Sequence, residues 1–159
     1  MRGITTALLC AALFLPAMVF SSCASAAPAP GTFGDIEGRE WLLLELRRNA
    51  ETVRIDRENP DLSGFGEIYT AHFEDGRISG MGAPNRFFGP YTLGGGRDLS
   101  IGLLAHTLMM ALVEPEDLRE HEYFAYLYRV THWDFRDGRL ELHSSSEDGS
   151  ATVLVFLPN

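Results

Sequence analysis

Val130 to Ser144 reads V-T-H-W-D-F-R-D-G-R-L-E-L-H-S, and this stretch decides the fold. Asp137-Gly138 is a two-residue type I′ turn signal, because both central positions of that turn need φ > 0 and Asp and Gly tolerate it. A turn there fixes the pairing by counting outward. Arg136 faces Arg139, Phe135 faces Leu140, Asp134 faces Glu141, Trp133 faces Leu142 and His132 faces His143. Trp133, Phe135, Leu140 and Leu142 then share one apolar face, which is assigned to the core. The opposite face carries His132, His143, Asp134 and Glu141. Two readings of that face compete. Opposed histidines and carboxylates could hold a divalent metal. Alternatively, Arg136 and Arg139 pair diagonally with Glu141 and Asp134 on a wet surface. The second needs no ion and is the one the sequence favours.

The same logic extends outward. Glu67 to Glu74 alternates as a strand, and Asp75-Gly76 turns it into Arg77-Ile78-Ser79-Gly80, which sets Glu74 opposite Arg77. Trp41 to Leu46 is an apolar run with strand character. Phe87 to Leu93 and Leu99 to Leu104 flank a Gly94-Gly95-Gly96 turn, and Asp148-Gly149 begins a connection into the strand Thr152 to Leu157. One helix is expected, from about Pro115 to Tyr126. Pro115 suits the first helical position, and Glu114, Glu116 and Asp117 put negative charge at the positive end of the dipole. Its expected buried stripe is Leu118, His121, Phe124 and Ala125. The last strand is apolar on both faces, through Val153, Val155 and Leu157 on one and Leu154 and Phe156 on the other. The helix is expected to cover its second face; a ligand or partner groove is the alternative. One α+β domain, mainly antiparallel sheet, accounts for the pattern.

The N-terminus reads as an export signal. Met1-Arg2 is a short basic region, and Ile4 to Phe20 is uncharged and apolar, though interrupted by Pro16 and short of the ~20 residues of a bilayer span. Two cleavage sites compete. Ala24-Ser25-Ala26 has the A-x-A form of ordinary signal cleavage. Phe20-Ser21-Ser22-Cys23 resembles a bacterial lipobox, with Phe20 where Leu is usual. Cys10 leaves with the signal, so Cys23 is the sole mature thiol; acylation would remove an otherwise unpaired Cys from an oxidising compartment. The expected organisation is a signal peptide over 1–22, a lipid-anchored flexible tether over 23–38 and a domain over 39–159. All thirteen basic residues are Arg, against 22 acidic ones, for a formal net charge of −9. That balance argues against nucleic acid and against a basic lipid-surface patch.

Phe73 to Tyr91 reads F-E-D-G-R-I-S-G-M-G-A-P-N-R-F-F-G-P-Y. It resembles the core motif of the META/HslJ-like family, a turn and Ser-Gly followed by Gly-Cys-Asn-x-Phe-x-Gly-x-Tyr. Further similarities lie in Trp41-Leu42-Leu43, in Ile101-Gly102 through Thr107-Leu108-Met109-Met110-Ala111, in Glu116 to Leu127, in Leu140-Glu141-Leu142 and in Val153 to Pro158. The likeness thus spans about residues 39 to 158. The family's two Cys positions hold Pro84 and Ala111 here, so a bridge implied by the family is replaced by packing, with Pro84 stiffening the backbone. The resemblance implies an antiparallel sheet curled into a partial barrel with one packed helix, in exported or membrane-anchored proteins. Some of them are linked to heat or antibiotic stress, and none has an established enzymatic activity. Gly80, Asn85, Arg86, Phe87, Phe88, Gly89 and Tyr91 are expected to be mainly structural, with Phe87, Phe88 and Tyr91 as packing residues.

No catalytic group stands out. Ser144-Ser145-Ser146 lacks a nucleophile-elbow setting, and Gly94-Gly95-Gly96 lies between strands rather than before a helix. No enzymatic activity and no cofactor are expected. The leading expectation is a non-catalytic envelope lipoprotein, accessory to stress tolerance or envelope assembly. It would be anchored to the membrane through acylated Cys23, facing the periplasm or exterior, with an unknown envelope protein or small ligand as partner. A secreted or soluble periplasmic chain is the alternative location. Other functional readings are a small-molecule or lipid-binding module using the barrel interior, and a metal-binding lipoprotein built on His132 and His143. A binding module should have an apolar pocket inside the sheet; an interaction domain should be filled, with an apolar patch outside.

Overall fold

The computed structural model describes residues 31–49, 51–57, 67–110, 115, 118–145 and 149–159. The signal peptide, Cys23, the tether up to residue 30, Ala111, Glu114, Glu116, Asp117, Ser146 and Asp148 lie outside the described residues. The expected tether does not extend to residue 38. Phe33–Asp35 forms a single 3-10 turn, started by Thr32, whose N–H and hydroxyl both donate to the Asp35 carboxylate at 2.7 and 2.9 Å. The Thr32 N–H, followed by its hydroxyl, holds the Asp35 carboxyl below its ordinary value. Phe33 and Ile36 are buried in the core. The small, Pro-containing composition of the preceding stretch hides two apolar anchors, so the domain begins by Gly31.

Ten strands follow. They are β1 (Glu40–Arg48), β2 (Glu51–Arg54), β3 (Thr70–Glu74), β4 (Arg77–Met81), β5 (Arg86–Leu93), β6 (Leu99–Ile101), β7 (Ala105–His106), β8 (Val130–Arg136), β9 (Arg139–Ser145) and β10 (Ala151–Pro158). Both Asp-Gly turns are of the expected kind: φ is 49° and 74° at Asp75 and Gly76, and 53° and 74° at Asp137 and Gly138. Glu74 faces Arg77, and all five pairs from Arg136/Arg139 to His132/His143 occur as counted. Pairing is antiparallel in the order β6-β5-β4-β3-β1-β10-β9-β8, with β2 added to β1 and β7 to β5. The two ends of this order then meet. Trp133 N–H donates to the Arg97 carbonyl at 3.0 Å, and Asp98 bridges His132, so the sheet curls into a nearly closed barrel.

The barrel interior is filled by rings. Phe33 sits 5.2–5.5 Å from Phe73, Tyr91 and Trp133, and Tyr123 lies 5.1 and 6.0 Å from Tyr69 and Phe87. Such rings bury about 150–250 Å² each, and truncating one to Ala typically costs about 3–5 kcal/mol. The helix α1 (Glu120–Tyr128) starts later than expected, because Arg119 is extended and acts as its N-cap, with the Glu122 carboxylate accepting the Arg119 N–H at 2.8 Å. Its buried residues are Glu120, Tyr123 and Leu127. The expected stripe is corrected accordingly: Leu118 is buried but precedes the helix, His121 is exposed, and Phe124 and Ala125 are half-buried.

The second face of β10 is covered by charge, not by the helix. Val155 pairs with Glu45 of β1 on one side and Glu141 of β9 on the other, and it is fully buried. Arg47 bonds both carboxylates, at 2.7 Å to Glu45 and 3.0 Å to Glu141. Arg47 thus clamps the two carboxylates that flank Val155, and it stands in register with Val153 on β10. Arg54 adds a further contact to Glu45 at 3.5 Å.

Candidate functional site

Asn85 organises one end of the barrel. It lies in the β4–β5 connection, follows the cis Ala83–Pro84 bond, and is only 4% exposed. Its amide uses every hydrogen-bonding valence. Nδ2 donates to Glu120 Oε2 at 2.6 Å and to the Met109 carbonyl at 3.1 Å. Oδ1 accepts from the Thr107 hydroxyl at 2.7 Å and from Met109 N–H at 2.6 Å. Glu120 is the partner the sequence did not reveal. Its Oε1 accepts the backbone N–H groups of Ala83 and Asn85 at 2.7 and 2.6 Å. This buried carboxylate is therefore solvated by three N–H donors. The hub ties the β4–β5 turn, the segment after β7 and the first turn of α1 together.

The motif glycines serve the same geometry. A Cβ at Gly82 would lie 2.5 Å from Glu120 Oε1, and one at Gly80 would collide with the Thr70 carbonyl. One at Gly89 would come within 2.8 Å of the Leu103 carbonyl. Phe87 and Tyr91 point inward, as expected of packing residues. The Tyr91 hydroxyl donates to Glu37, and burial, followed by that carboxylate, pushes its pKa up to about 12. Phe88 departs from the expectation. Adjacent residues on a strand face opposite ways, so burying Phe87 turns Phe88 outward, where it is 50% exposed with the Arg77 guanidinium 5.2 Å from its ring. Arg86 is also exposed; its backbone N–H donates to the Thr107 hydroxyl.

Beyond Phe88 runs an apolar ledge. Leu103, Leu108 and Met110 are 82–89% exposed and Met109 is 60% exposed. Gly102 to Met110 contains no residue that can carry charge except His106. Phe88, Pro90, Leu103, Ala105 and Arg77 frame an open cleft of about 260 Å³ on this side. The Leu108–Met110 end of the ledge lies far from Gly31, whereas Leu103 sits beside Gly89 in the middle of β5. Thr107 N–H is bonded to the Arg86 carbonyl at the start of β5, whereas Gly31 shares a groove with Leu93 at its end. The seven residue steps from Arg86 to Leu93 span about 23 Å along the strand.

The outer faces of β8 and β9 hold the predicted polar set, differently partnered. The His132 and His143 rings stand 5.7 Å apart. Asp134 is bonded by Arg97 and by Arg136 of its own strand, and Glu141 by Arg47, so the expected diagonal pairs of Arg136 with Glu141 and Arg139 with Asp134 do not form. The register alone could not place Arg97, which arrives from the β5–β6 turn. Burial pushes the Asp134 carboxyl up, but the Arg136 hydrogen bond, the Phe135 N–H and Arg97 outweigh it and hold its pKa below the ordinary value. His143 is depressed, chiefly by burial, which keeps its imidazole neutral. In this conformation no three His, Cys, Asp or Glu side chains among the described residues converge as metal ligands.

Comparison with known proteins places this architecture. No curated protein matches the sequence. An NMR structure of a protein from Burkholderia xenovorans superposes with a TM-score of 0.58 at 19% identity, covering 91% of this chain and 99% of the other. A crystal structure of a DUF4847 family protein from Bacteroides vulgatus gives 0.53 at 16% identity, covering 81% and 98%. At these identities the likeness is one of fold. The family model of the META domain matches residues 34–157, which takes in the Asn85 hub and the closing strands. The chain belongs to the META domain family.

Proposed function

We propose that this META domain protein is a non-catalytic lipoprotein of the cell envelope that engages a partner protein through the ledge of Leu103, Leu108, Met109 and Met110. The observation that carries the reading is that ledge, set against an interior packed with aromatic rings. Exposed apolar surface of this kind marks interaction sites, whereas a small-molecule module keeps its apolar surface inside a cavity. Four clefts among the described residues fit the same reading: they are open grooves of about 260–360 Å³ on the surface. Acylation at Cys23 would anchor the chain at the Gly31 end and point the ledge away from the membrane. A role in stress tolerance or envelope assembly would then be that of an accessory subunit.

Site-specific photocrosslinking in intact envelopes tests the reading. A crosslinker at Leu108 should give one discrete protein adduct that Met110→Glu abolishes, while one at the exposed Thr52 of β2 gives none. Adducts at neither position, or the same adducts at both, would overturn it. Mass spectrometry of the mature chain tests the anchor: a diacylated Cys23 supports it, and a free N-terminus at Ala27 excludes it.

A further inference from the structure

We propose that the partner docks by strand addition, laying an extended segment of its own along the backbone edge from Ala105 to Met109; this rests on the ledge being an interaction site and names the mode of contact. On one side β7 pairs with β5, Phe87 with His106 and Phe88 with Ala105, and among the described residues no strand lies on its other side. Thr107 N–H continues the ladder onto the Arg86 carbonyl at 3.0 Å. Asn85 then carries it further with a side chain in place of backbone. Its carboxamide offers the C=O and N–H of a peptide group, accepting Met109 N–H at 2.6 Å and donating to the Met109 carbonyl at 3.1 Å. Thr107 and Met109 thus turn their N–H groups the same way, with the two-residue period of a strand. In an antiparallel ladder the residues between them point their N–H and C=O to the opposite edge. Those of His106 and Leu108 therefore face away from β5, and no group among the described residues bonds them.

Proteins guard open edges with charge, Pro or a bulge, because a row of unpaired N–H and C=O groups is a template for another chain. β2, which also pairs on one side only, carries Glu51 and Arg54. Leu104 to Met110 has no Pro and no Arg, Asp or Glu. Its one titratable side chain, His106, is stacked on Phe124 with 5.1 Å between ring centroids. Every residue from Ala105 to Met110 is exposed, so the edge is open to an incoming chain. The chemistry of the edge selects its occupant. Free backbone donors and acceptors two residues apart recognise an extended chain, whereas a helix spends its own backbone groups internally. The exposed Leu108 and Met110 beside the edge call for apolar side chains at alternate positions of that segment. A second copy of this chain is disfavoured by the net charge of −9 that each would bring.

The test deletes a backbone donor and spares the rest of the ledge. A photocrosslinker at Met110 of the full chain is combined with Leu108→Ala or Leu108→Pro, and adducts are scored in intact envelopes. Both substitutions remove the Leu108 side chain, but only proline removes the outward N–H, and its fixed φ suits an extended chain. The partner adduct should be at least about fivefold weaker in Leu108→Pro than in Leu108→Ala, the equivalent of the ~1 kcal/mol of one hydrogen bond. Thermal unfolding of the purified variants reports whether each folds as the parent does. Hydrogen exchange on the parent decides independently of any variant: the His106 and Leu108 amides should exchange freely in the purified chain and be protected in envelope vesicles. Equal adducts in the two variants, with both amides unprotected in vesicles, would overturn strand addition and leave the ledge as an interaction site. No adduct in the parent would overturn both readings, and an adduct made only of two copies of this chain would overturn the choice of partner.

Discussion

Replacing Asn85 interrogates the hub that ties the motif turn to the helix. In Asn85→Ala four hydrogen bonds are lost. Thr107 and Met109 are exposed, so water replaces much of what they lose, and their share falls below the ~1 kcal/mol of an average neutral bond. Glu120 Oε2 is different, because it belongs to a buried carboxylate and forfeits a charge-assisted bond worth about 1.5–3 kcal/mol. The sum is about 3 kcal/mol, or a fall of about 10 °C in Tm for a domain of this size. Asn85→Asp sharpens the test. It preserves shape but sets a second carboxylate where Nδ2 now sits 2.6 Å from Glu120 Oε2. Two carboxylates that close cannot both ionise, so one must take up a proton on folding. At pH 7 the Asp variant should therefore be less stable than the Ala variant, and the gap should close below about pH 5 as that proton becomes available. Urea unfolding of both variants across pH 4–8 measures this. An Asp variant as stable as Asn, or milder than Ala at pH 7, would refute the buried-carboxylate account.

Three further outcomes follow from the same geometry. Gly82→Ala should destabilise by about 1–3 kcal/mol through overpacking on Glu120 and Phe124, whereas Gly95→Ala, with open space around it, should be near neutral in the same urea assay. The folded Tyr91 pKa of about 12 lies above the ordinary 10, so the folded state retains its proton longer; its contribution is complete below pH 10 and is lost as pH rises toward 12. Tyr91→Phe should lack that alkaline decline in an unfolding series from pH 8 to 12. His143 is depressed below 6.5, so the unfolded chain binds the proton more readily and stability falls as pH drops through 6.5; His143→Gln should flatten that slope.

The legible parts of the fold were those set by local chemistry. Asp-Gly at 75–76 and 137–138 fixes φ and so fixes register, and the period-2 pattern then assigns faces without distant information. Phe88 follows the same rule: with Phe87 inward, the pleat turns Phe88 out, so the two cannot both pack in the core. Glu120 was hidden because a carboxylate within an apolar stripe counts against burial until its three N–H donors, contributed by a turn 35 residues away, are known. Phe33 and Ile36 were masked by the small residues before them. The cover over Val155 was illegible because it joins β1, β9 and β10 across nearly the whole chain. The pairing of His132 with His143 is legible from the Asp137-Gly138 turn, but the partners of the carboxylates beside them depend on Arg47 and Arg97, which no local pattern places.

Methionine footprinting tests the central claim, that the ledge is covered by a partner in the envelope. Met109 and Met110 are exposed in the isolated domain, and Met81, half-buried in β4, serves as an internal reference. Dilute peroxide is applied to intact envelopes and to the purified chain, and sulfoxide at each Met is read by mass spectrometry. Met109 and Met110 should oxidise readily in the purified chain and several-fold more slowly in envelopes, with Met81 unchanged. Equal oxidation of Met109 and Met110 in both settings would contradict the account.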